Sequence, residues 1–342
     1  MMNWYNKQTM ENDVVISTRI RLARNLCDYP FASKLDPTSA REIIEKVASA
    51  LTPHNFTMID MAGVSALEAQ SYVEKHVIST DFAKKSTPHA LLTSEELSVA
   101  TMVCEEDHIR IQCLLPGFQL DRAFENACKV DDLLDGALNI AYDEKLGYLT
   151  HCPTNLGTGI RASVMVFLPA LTMTNQIASL SAQLSKIGLT IRGMYGEGSA
   201  SRGAIYQISN QITLGITEED TIKKLKEIIS KIIHDEKRLC QNIYKSSEDS
   251  LTDKILRSVG TLRYARLISS EEFFSLYSDI RLGILLGIIK DISYTTLDNL
   301  LYEAMPASLI LKFGDNIGKD ATNELVRDRM RATYLKSIFA QK

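Results

Sequence analysis

The chain has 342 residues, of which 45% are hydrophobic and 23% are charged, as in a globular protein of one large or two medium domains. A formal net charge of −4 argues against bulk binding to nucleic acid or to a membrane surface. Six scattered cysteines without a CxxC pair argue against a zinc cluster and a disulfide framework, and favour a reducing cytoplasm. The N-terminus lacks a signal pattern and the apolar stretches are short, so we expect neither secretion nor a membrane span.

The first informative stretch is VVISTRIRLARN at 14–25, whose apolar residues alternate with a period of two and predict a strand. Arg19 and Arg21 then lie on the same face, where their charges repel unless an anion such as a phosphate lies between them. The alternative is an exposed edge strand kept soluble by its arginines. A helix is predicted next, from Asp36 as N-cap to the stop at Thr52-Pro53.

A second helix is predicted from about 63 to 79, and it contains His76, which alone would most often be structural. Two strands, at 97–104 and 109–114, follow and enclose the run CEEDHIR. Its three carboxylates, Glu105, Glu106 and Asp107, are typical of a solvated turn. With Arg110 beside them, they are also suited to holding a cationic substrate next to an anionic one.

Helices are predicted from Leu120 to about Ala141, and a strand at 147–151 leads into CPTNLGTGIRASVMVFLP at 152–169. The glycines of this stretch allow a ligand to approach the backbone closely, and Arg161 has the planar fork of donors that suits phosphate. The alternative is a loop before a core strand with one solvated arginine. Adjacent strand residues face opposite ways, so His151 and Cys152 do not form a nucleophilic pair, and a thiol that tunes or senses a nearby site fits better.

The rest of the chain is predicted to be a helix at 173–186, strands at 189–192 and 205–214, and then only helices. Between the strands lies RGMYGEGSASRG at 192–203, where Glu197 between two glycines suits a loop that closes over a ligand, or else a polar loop. A long helix begins at Thr217, and the polar SSEDS at 246–250 predicts a linker. Four more helices are predicted at 251–267, 270–286, 295–304 and 323–339. We therefore predict a catalytic domain at 1–245 and a helical domain at 246–342.

In the last predicted helix, RDRMRA at 327–332 places Arg327 and Arg331 four residues apart on one face. They are either solvated or hold an anion.

In the predicted sheet, five arginines lie at strand ends or turns, while no P-loop, GxGxxG fingerprint or protein-kinase motif occurs. The five are Arg19, Arg21, Arg110, Arg161 and Arg192.

Arginines in this arrangement are able to clamp a nucleotide triphosphate without a P-loop. Phosphoryl transfer needs positioning and charge compensation more than covalent help, with a magnesium ion bridging the phosphates. An acid near the arginines would position and deprotonate the acceptor. A guanidinium is an attractive acceptor because a carboxylate both binds it bidentately and takes its proton.

Four motifs together resemble the ATP:guanidino phosphotransferase family of creatine and arginine kinases. These are STRIR (17–21), EEDHIR (105–110), CPTNLGTGIRAS (152–163) and RGMYGE (192–197), in an order that matches over about residues 14–245. We expect no counterpart of the small helical N-terminal domain of phosphagen kinases, and we expect a helical C-terminal domain that carries RDRMRA. Both features are similar to the bacterial protein-arginine kinase branch, the McsB type.

The resemblance implies an antiparallel sheet flanked by helices, an α+β fold, and an enzyme that uses ATP and Mg²⁺ to phosphorylate arginine side chains of proteins. It implies that Glu106 is the catalytic glutamate, that Glu197 holds the guanidinium, and that Cys152 is a reactive thiol close to the substrate. It implies ATP contacts by Ser17, Thr18, Arg19, Ile20, Arg21, His76, Arg110, Arg161, Ala162, Ser163, Val164, Met165, Arg192, Gly193, Met194, Tyr195, Gly196 and Glu197. No residue is expected to bind a metal directly.

The same resemblance implies a regulatory phosphoarginine pocket at Arg327, Asp328, Arg331 and Ala332. It implies homodimers or larger oligomers, a zinc-binding activator of the McsA type, and a Clp protease that takes up the phosphorylated proteins, together with control of a stress-response repressor. Two departures concern acceptor preference and redox sensitivity: Cys104 replaces the usual asparagine, and Arg202 lies in a loop that is acidic in phosphagen kinases. Two other functions stay open, a kinase for free arginine or another small guanidine, and a phosphoarginine-binding adaptor with an inactive kinase site.

Overall fold

The computed structural model describes residues 3–7, 13–194, 201–314 and 323–340. Its strands are β1 Val15–Arg24, β2 Thr57–Asp60, β3 Ala90–Thr93, β4 Val99–Val103, β5 Ile109–Pro116, β6 Tyr142–Asp143, β7 Gly147–Tyr148, β8 Ile160–Phe167, β9 Leu189–Gly193 and β10 Ile205–Asn210. Its helices are α1 Pro37–Leu51, α2 Ala66–Glu74, α3 Thr80–Ala83, α4 Leu120–Asp135, α5 Pro169–Met173, α6 Ile177–Lys186, α7 Glu218–Ser246, α8 Glu248–Tyr264, α9 Ser270–Leu285, α10 Tyr294–Glu303, α11 Pro306–Phe313 and α12 Glu324–Phe339.

Eight strands form one antiparallel sheet in the order β2-β3-β4-β5-β1-β8-β10-β9, and β6 and β7 form a separate two-stranded ribbon. The strand predicted at 14–25 is confirmed as β1, which pairs with β5 on one side and β8 on the other. Helices flank this sheet on both faces. The predicted fold class is therefore confirmed.

One face of the sheet packs against the amphipathic helices α1, α4 and α7. Helix α1 begins at Pro37 after the predicted N-cap Asp36, whose carboxylate accepts hydrogen bonds from two backbone N–H groups. The helix buries Ile43, Val47 and Leu51. The Thr217 hydroxyl caps α7 by accepting a hydrogen bond from the backbone N–H of Asp220. Because strand side chains alternate, this face takes the apolar residues of β1 and β8 and leaves the polar ones for the other face.

The other face is partly covered by the C-terminal helices, which share a single hydrophobic cluster with it. The ring of Tyr302 in α10 stacks on Tyr5 at 4.6 Å between centroids, and the Arg281 guanidinium of α9 lies 5.6 Å from the Phe167 ring centroid in β8. The Glu74 carboxylate at the end of α2 accepts two backbone hydrogen bonds of 2.9 Å from the start of α11. The helical part is thus packed directly onto the sheet.

Several predicted helix boundaries are wrong, and a specific contact or backbone conformation accounts for two of the errors. The helix predicted from 63 to 79 ends at Glu74, because Gln112 of β5 binds the carbonyl groups of His76 and Val77 at 2.9 Å. The helix predicted at 173–186 begins at Ile177, since Asn175 has a left-handed backbone with φ 54°. Helix α4 ends at Asp135 rather than at Ala141.

Other elements differ in kind from the prediction. The segment SSEDS at 246–250 is mostly helical, with Ser247 alone between α7 and α8, so it forms a tight junction rather than an extended linker. The strand predicted at 147–151 is only the two-residue β7, and the strand predicted at 205–214 ends at Asn210. Strands β2 and β3 and helix α11 were not predicted. No helix within the described ranges is both long and apolar enough to cross a membrane.

Candidate active site

Four strands bring the five predicted arginines to one face of the sheet. Arg21 of β1 lies directly opposite Arg161 of β8, and Arg110 of β5 lies opposite Ala23 of β1. Arg192 of β9 lies opposite Gln207, which is itself opposite Met165 of β8. Opposite residues of an antiparallel pair share a face, so the prediction that Arg19 and Arg21 point the same way is confirmed and extends to the others.

The arginine face carries a concentrated positive charge. Burial, followed by repulsion from Arg110 and Arg161, lowers the pKa of Arg19 to about 9. Burial and the same neighbours also lower the pKa of Arg21 well below its ordinary value, and its Nε has no hydrogen-bond acceptor among the described residues. Arginines keep their charge in proteins, so the burial and mutual repulsion of these guanidinium groups carry an electrostatic cost that a bound polyanion relieves.

The three carboxylates between β4 and β5 have three different environments. Glu105 is buried, and its carboxylate lies 2.6 Å from the Arg110 guanidinium and accepts a 2.6 Å hydrogen bond from Ser79. Burial acts to raise the pKa of Glu105, but these partners lower it to about 2. Glu105 therefore holds Arg110 in place. Sequence reasoning missed this role, because three acids in a row give no sign of which one is buried.

Asp107 is also buried, and it fixes the segment that precedes Cys152. Its carboxylate accepts hydrogen bonds of 2.7 Å from the Asn25 amide and from the backbone N–H of His151. The next residue, His108, accepts from the backbone N–H of Leu26 at 3.1 Å through Nδ1. Asn25 and Asp107 were likewise missed as site-building residues. They tie the end of β1, the acidic turn and the Cys152 loop together.

Glu106 is the exposed member of the acidic run, and it lines a cleft of about 190 Å³. It makes no ion pair among the described residues. The Cys152 thiol lines the same cleft, 3.0 Å from the Thr154 hydroxyl. The other cleft residues include Arg21, Arg110, Arg161, Asn155 and Gly159. A free carboxylate thus faces a group of guanidinium groups across one small cleft.

A family model described as the ATP:guanido phosphotransferase C-terminal catalytic domain matches residues 39–239, more than half of the chain. The protein-arginine kinase of Caldanaerobacter subterraneus subsp. tengcongensis is 42% identical over 338 residues, which cover 97% of this chain and 98% of that protein. The chain belongs to the ATP:guanido phosphotransferase family.

Two further likenesses refine this membership. A model of the C-terminal domain of the protein-arginine kinase McsB matches residues 248–342, and the protein-arginine kinase of Brevibacillus brevis is 43% identical over 96% of this chain and 95% of its own length. Among solved structures, the duplicated taurocyamine kinase of Schistosoma mansoni with transition-state analogue components superposes with a TM-score of 0.57 at 26% identity. That match covers 66% of this chain, which spans about a third of the duplicated kinase.

The ATP:guanido phosphotransferase motifs contain residues that face away from the cleft. Thr18, Ile20, Ala162 and Val164 are buried on the opposite face of the sheet, against α1, α4 and α7. The hydroxyl group of Thr18 donates to the Gly117 carbonyl at 2.7 Å. Side-chain contact with a nucleotide on the arginine face is excluded for these four by the strand alternation. Ser17, Ser163 and Met165 share the face of the arginines and are buried.

His76 lies close to the arginine face in a left-handed backbone conformation with φ 59°. Its ring contacts Tyr302 of α10 edge-on at 5.8 Å between centroids. Burial, with a smaller contribution from Arg19, lowers the pKa of His76 to about 3, so the ring is neutral at neutral pH. His76 therefore joins the candidate ATP site to the C-terminal helices.

The motif RGMYGE is described only in part. Arg192 and Gly193 end β9, and Met194 is buried in the cluster shared with the C-terminal helices. Tyr195, Gly196 and Glu197 lie outside the described residues, so the predicted roles of these three stay predictions. Arg202 lies within the described residues, and its guanidinium is 5.9 Å from the ring centroid of Phe274 in α9.

One of the two departures from the family pattern, Cys104, lies in the core. Cys104 is buried, with its Sγ 3.7 Å from the carbonyl oxygen of Ala40 in α1, and burial raises the pKa of the thiol to about 11. Its φ of 60° is a left-handed value, which asparagine adopts more easily than cysteine. The Cys104 side chain thus faces the core rather than the cleft.

The predicted phosphoarginine pocket divides into surface and core residues. Arg327 and Asp328 are partly exposed, but Arg331 is 1% exposed and Ala332 lies in the core. Arg331 donates to the carbonyl oxygens of Ala304 and Ile268, to Asp328 and to the hydroxyl group of Ser270, at 2.7–2.9 Å. These bonds use four of the five guanidinium N–H groups, so Arg331 binds chiefly the protein itself.

The Glu105–Arg110 pair gives a first prediction. Replacing Glu105 by Gln removes the charge that holds Arg110, so kcat/KM for phosphoryl transfer is expected to fall about 10- to 100-fold, as for the loss of a charge-assisted hydrogen bond. Because the folded-state pKa of Glu105 is depressed, its stabilisation is present above pH 4.5 and is lost as pH falls towards 2. The free energy of unfolding of the wild type should therefore fall in acid, and that of E105Q should fall less.

Urea unfolding between pH 6 and pH 3, together with steady-state kinetics, measures both effects. Glu96→Gln is the matched control, because it removes a surface ion pair to Lys7 and neither residue lines the cleft. Kinetics of E105Q equal to those of the control would show that the pair does not position Arg110.

Proposed function

We propose that this chain is an ATP-dependent protein-arginine kinase. The observation that carries the proposal is the exposed carboxylate of Glu106 in one cleft with Arg21, Arg110, Arg161 and the Cys152 thiol. The names of relatives that are 42–43% identical over nearly the whole chain support it. Cationic side chains on one wall fit triphosphate, and a free carboxylate beside them fits a guanidinium.

The proposed reaction assigns a role to each part of the cleft. Glu106 binds the acceptor guanidinium and takes one proton from it as the nitrogen attacks the γ-phosphorus of ATP. A nitrogen–phosphorus bond forms, the bond between the γ-phosphorus and the bridging oxygen breaks, and ADP leaves. Arg21, Arg110 and Arg161 compensate the charge on the phosphoryl group in transfer. Mg²⁺ bound with ATP would add positive charge to the phosphates beside these three arginines.

Two further residues are proposed to position the acceptor. The Cys152 thiol lies at the cleft wall, where it contacts a guanidinium held by Glu106 and excludes water from that side. For Glu197 the proposal rests on the resemblance of its motif to the family, as the second carboxylate that holds the guanidinium.

The activity is tested with labelled ATP and Mg²⁺, with an arginine-rich unfolded protein in one reaction and free arginine in another. Label on the protein that is lost in mild acid is expected, because acid cleaves the P–N bond and spares phosphoserine. Label on free arginine alone would indicate a kinase for a small guanidine. Bound ATP without label in either reaction would indicate a phosphoarginine-binding adaptor or a need for an activator.

We also propose that Arg327 and Asp328 form the accessible part of a phosphoarginine site. Arg327→Ala is expected to weaken phosphoarginine binding at least tenfold without a change in Tm, because its side chain is only partly buried. Arg331→Ala should instead lower stability by about 3–5 kcal/mol, since it leaves buried hydrogen-bond partners unpaired. Titration calorimetry with phosphoarginine and thermal unfolding separate the two effects. Unchanged phosphoarginine binding by Arg327→Ala would contradict the proposed site and indicate that this surface of α12 only contacts solvent.

The partners and compartment are proposed on the resemblance and on surface character. Exposed apolar side chains on the C-terminal helices, such as Leu256, Tyr264 and Leu325, support oligomer formation or activator binding there. The activator is of the zinc-binding McsA type, and a Clp protease receives the phosphorylated proteins, among them a stress-response repressor. The scattered cysteines support a cytoplasmic location.

A further inference from the structure

An exposed apolar surface lies beside the cleft and has no role in phosphoryl transfer. We call it the ribbon patch; it consists of Tyr142 and Leu146 of the β6–β7 ribbon and Leu214 of the turn after β10. These side chains are 58%, 43% and 50% exposed, respectively, around an open depression of about 570 Å³. Large apolar side chains clustered at such exposure mark binding surfaces.

The ribbon patch is joined rigidly to the wall of the cleft. The backbone N–H of Tyr148 donates to the Gly157 carbonyl at 2.7 Å, and the Thr213 hydroxyl lies within 3.0 Å of the carbonyl oxygens of Thr154 and Leu156. The Arg24 guanidinium stacks on the Tyr148 ring at 3.4 Å from its centroid. The ribbon, the 153–158 loop and the 211–217 turn are therefore bonded to one another.

The 153–158 loop has the cleft on one side and the depression on the other. Asn155 lines the cleft with Glu106, and Gly157 lines the depression. They are two positions apart along the chain, a span of no more than about 7 Å. The depression and the cleft thus share this loop as a wall, and a polypeptide lying on the ribbon patch lies beside the cleft.

The backbone at Gly157 keeps these two sides close together. Its φ is 110°, a value that L-residues rarely adopt, and a Cβ there would lie 2.2 Å from the Thr213 carbonyl oxygen. Only glycine allows the loop to approach the turn so closely. The closeness of patch and cleft is therefore built into the backbone.

The charge around the depression is opposite in sign to that of the arginine face. Glu144, Glu218 and Asp220 line it, against a single Lys145. An acidic rim around apolar side chains attracts a basic segment with apolar residues, whereas the arginine face repels it. The acceptor and the nucleotide are thereby drawn to different sides of the cleft.

We propose that the ribbon patch is the docking surface for the acceptor polypeptide, an unfolded segment that carries apolar and basic residues. The segment is unfolded because a folded protein buries most of its large apolar side chains. This inference rests on the proposed function, since it names the surface through which that site takes a protein rather than a free guanidine.

The test compares two variants with matched exposure. The double variant Leu146→Ser with Leu214→Ser removes apolar side chains of the patch that are 43% and 50% exposed. The control, Met58→Ser with Met173→Ser, removes side chains that are 44% and 49% exposed away from the cleft. The acceptors are an arginine-rich protein, reduced and carboxymethylated so that it stays unfolded, and the tripeptide N-acetyl-Gly-Arg-Gly-amide.

The patch variant is expected to raise KM for the unfolded protein at least tenfold, with kcat within about twofold of wild type. Its kcat/KM for the tripeptide, which has no flanking chain to dock, should equal that of the control. Equal KM values of wild type and patch variant for the unfolded protein would overturn the docking surface. Equal losses on both acceptors would also overturn it, since they indicate damage to the cleft.

Binding without catalysis separates this inference from the proposed function. The fluorescein-labelled unfolded protein is titrated with each variant, without ATP, and followed by anisotropy. Weaker binding by the patch variant than by the control supports docking, and equal binding overturns it, whether or not phosphate is transferred. Absence of transfer to either acceptor by wild type overturns the kinase proposal instead.

Glu144→Gln with Asp220→Asn, in exposed positions, supplies a second patch variant. It should bind the labelled protein more weakly than wild type, and its binding should depend less on salt.

Discussion

Glu106→Gln is expected to lower kcat for arginine phosphorylation by about 1,000-fold while nucleotide affinity stays within about twofold of wild type. A positioned general base contributes roughly 10²- to 10⁴-fold to a rate, and Gln neither takes a proton nor carries the charge that binds a guanidinium. Glu106 makes no ion pair among the described residues, so its replacement leaves the arginines of the cleft in place. The loss should therefore appear in kcat rather than in stability or ATP binding.

Single-turnover transfer to an unfolded arginine-rich protein measures the chemical step, and titration with a fluorescent ATP analogue measures nucleotide affinity. Glu95→Gln is the matched control, because Glu95 is an exposed glutamate outside the cleft. The control should equal wild type in both measurements. Full activity in E106Q would remove Glu106 from the reaction, and a large loss of nucleotide affinity would make it a structural partner of the arginines.

The sequence predicted that Arg19 and Arg21 share a face because a period of two is a local signal. Alternation in β1 placed Arg19 and Arg21 on one face, and strand pairing then extended that face to Arg110 and Arg161. The helices α1 and α7 were predicted for the same reason, since an N-cap and an apolar stripe lie within one segment. The role of Glu106 came from the resemblance of its motif rather than from this pattern.

The different roles of three adjacent acids depend on tertiary contacts and were not predictable. Nothing in EED tells that Glu105 is buried against Arg110, that Asp107 binds the amide of Asn25, or that Glu106 is exposed. The early end of α2 has the same origin, because the amide that binds the His76 carbonyl comes from Gln112 in a distant strand. Local propensity describes a segment, whereas burial is decided by what packs on it.

The predicted RDRMRA site shows the limit of spacing arguments in a helix. Arg327 and Arg331 are four residues apart, but Arg331 is 1% exposed and bound to backbone carbonyls while Arg327 is partly exposed. When neighbouring helices pack closely, residues that are one turn apart on a helix can differ, one facing solvent and the other facing the core. For this reason Arg327→Ala is a cleaner test of ligand binding than a change at both positions.

A fragment of residues 1–247 is expected to lack a stable folded state, although the sequence predicts a separate domain there. In the full chain Trp4, Tyr5 and Phe167 are at most 3% exposed, and the C-terminal helices help to cover all three. Exposing one large apolar side chain costs about 1.5–3 kcal/mol, so the three together cost roughly 5–9 kcal/mol. That sum is comparable to the whole stability of a typical domain, about 5–15 kcal/mol.

Urea unfolding followed by circular dichroism, with a dye that binds exposed apolar surface, tests this expectation. The fragment should bind the dye in water and lack a cooperative transition, and it should transfer no phosphate. The matched control is the full chain cut once at Ser247, which breaks the same bond but keeps the helices packed on the sheet. The cut chain should unfold cooperatively and remain active, because the contacts of Tyr302 with Tyr5 and of Arg281 with Phe167 do not depend on that bond. Equal urea midpoints for the fragment and the full chain would instead indicate that the helical part is a separately folding domain. They would also indicate that the contact between His76 and Tyr302 does not couple the helices to the arginine face.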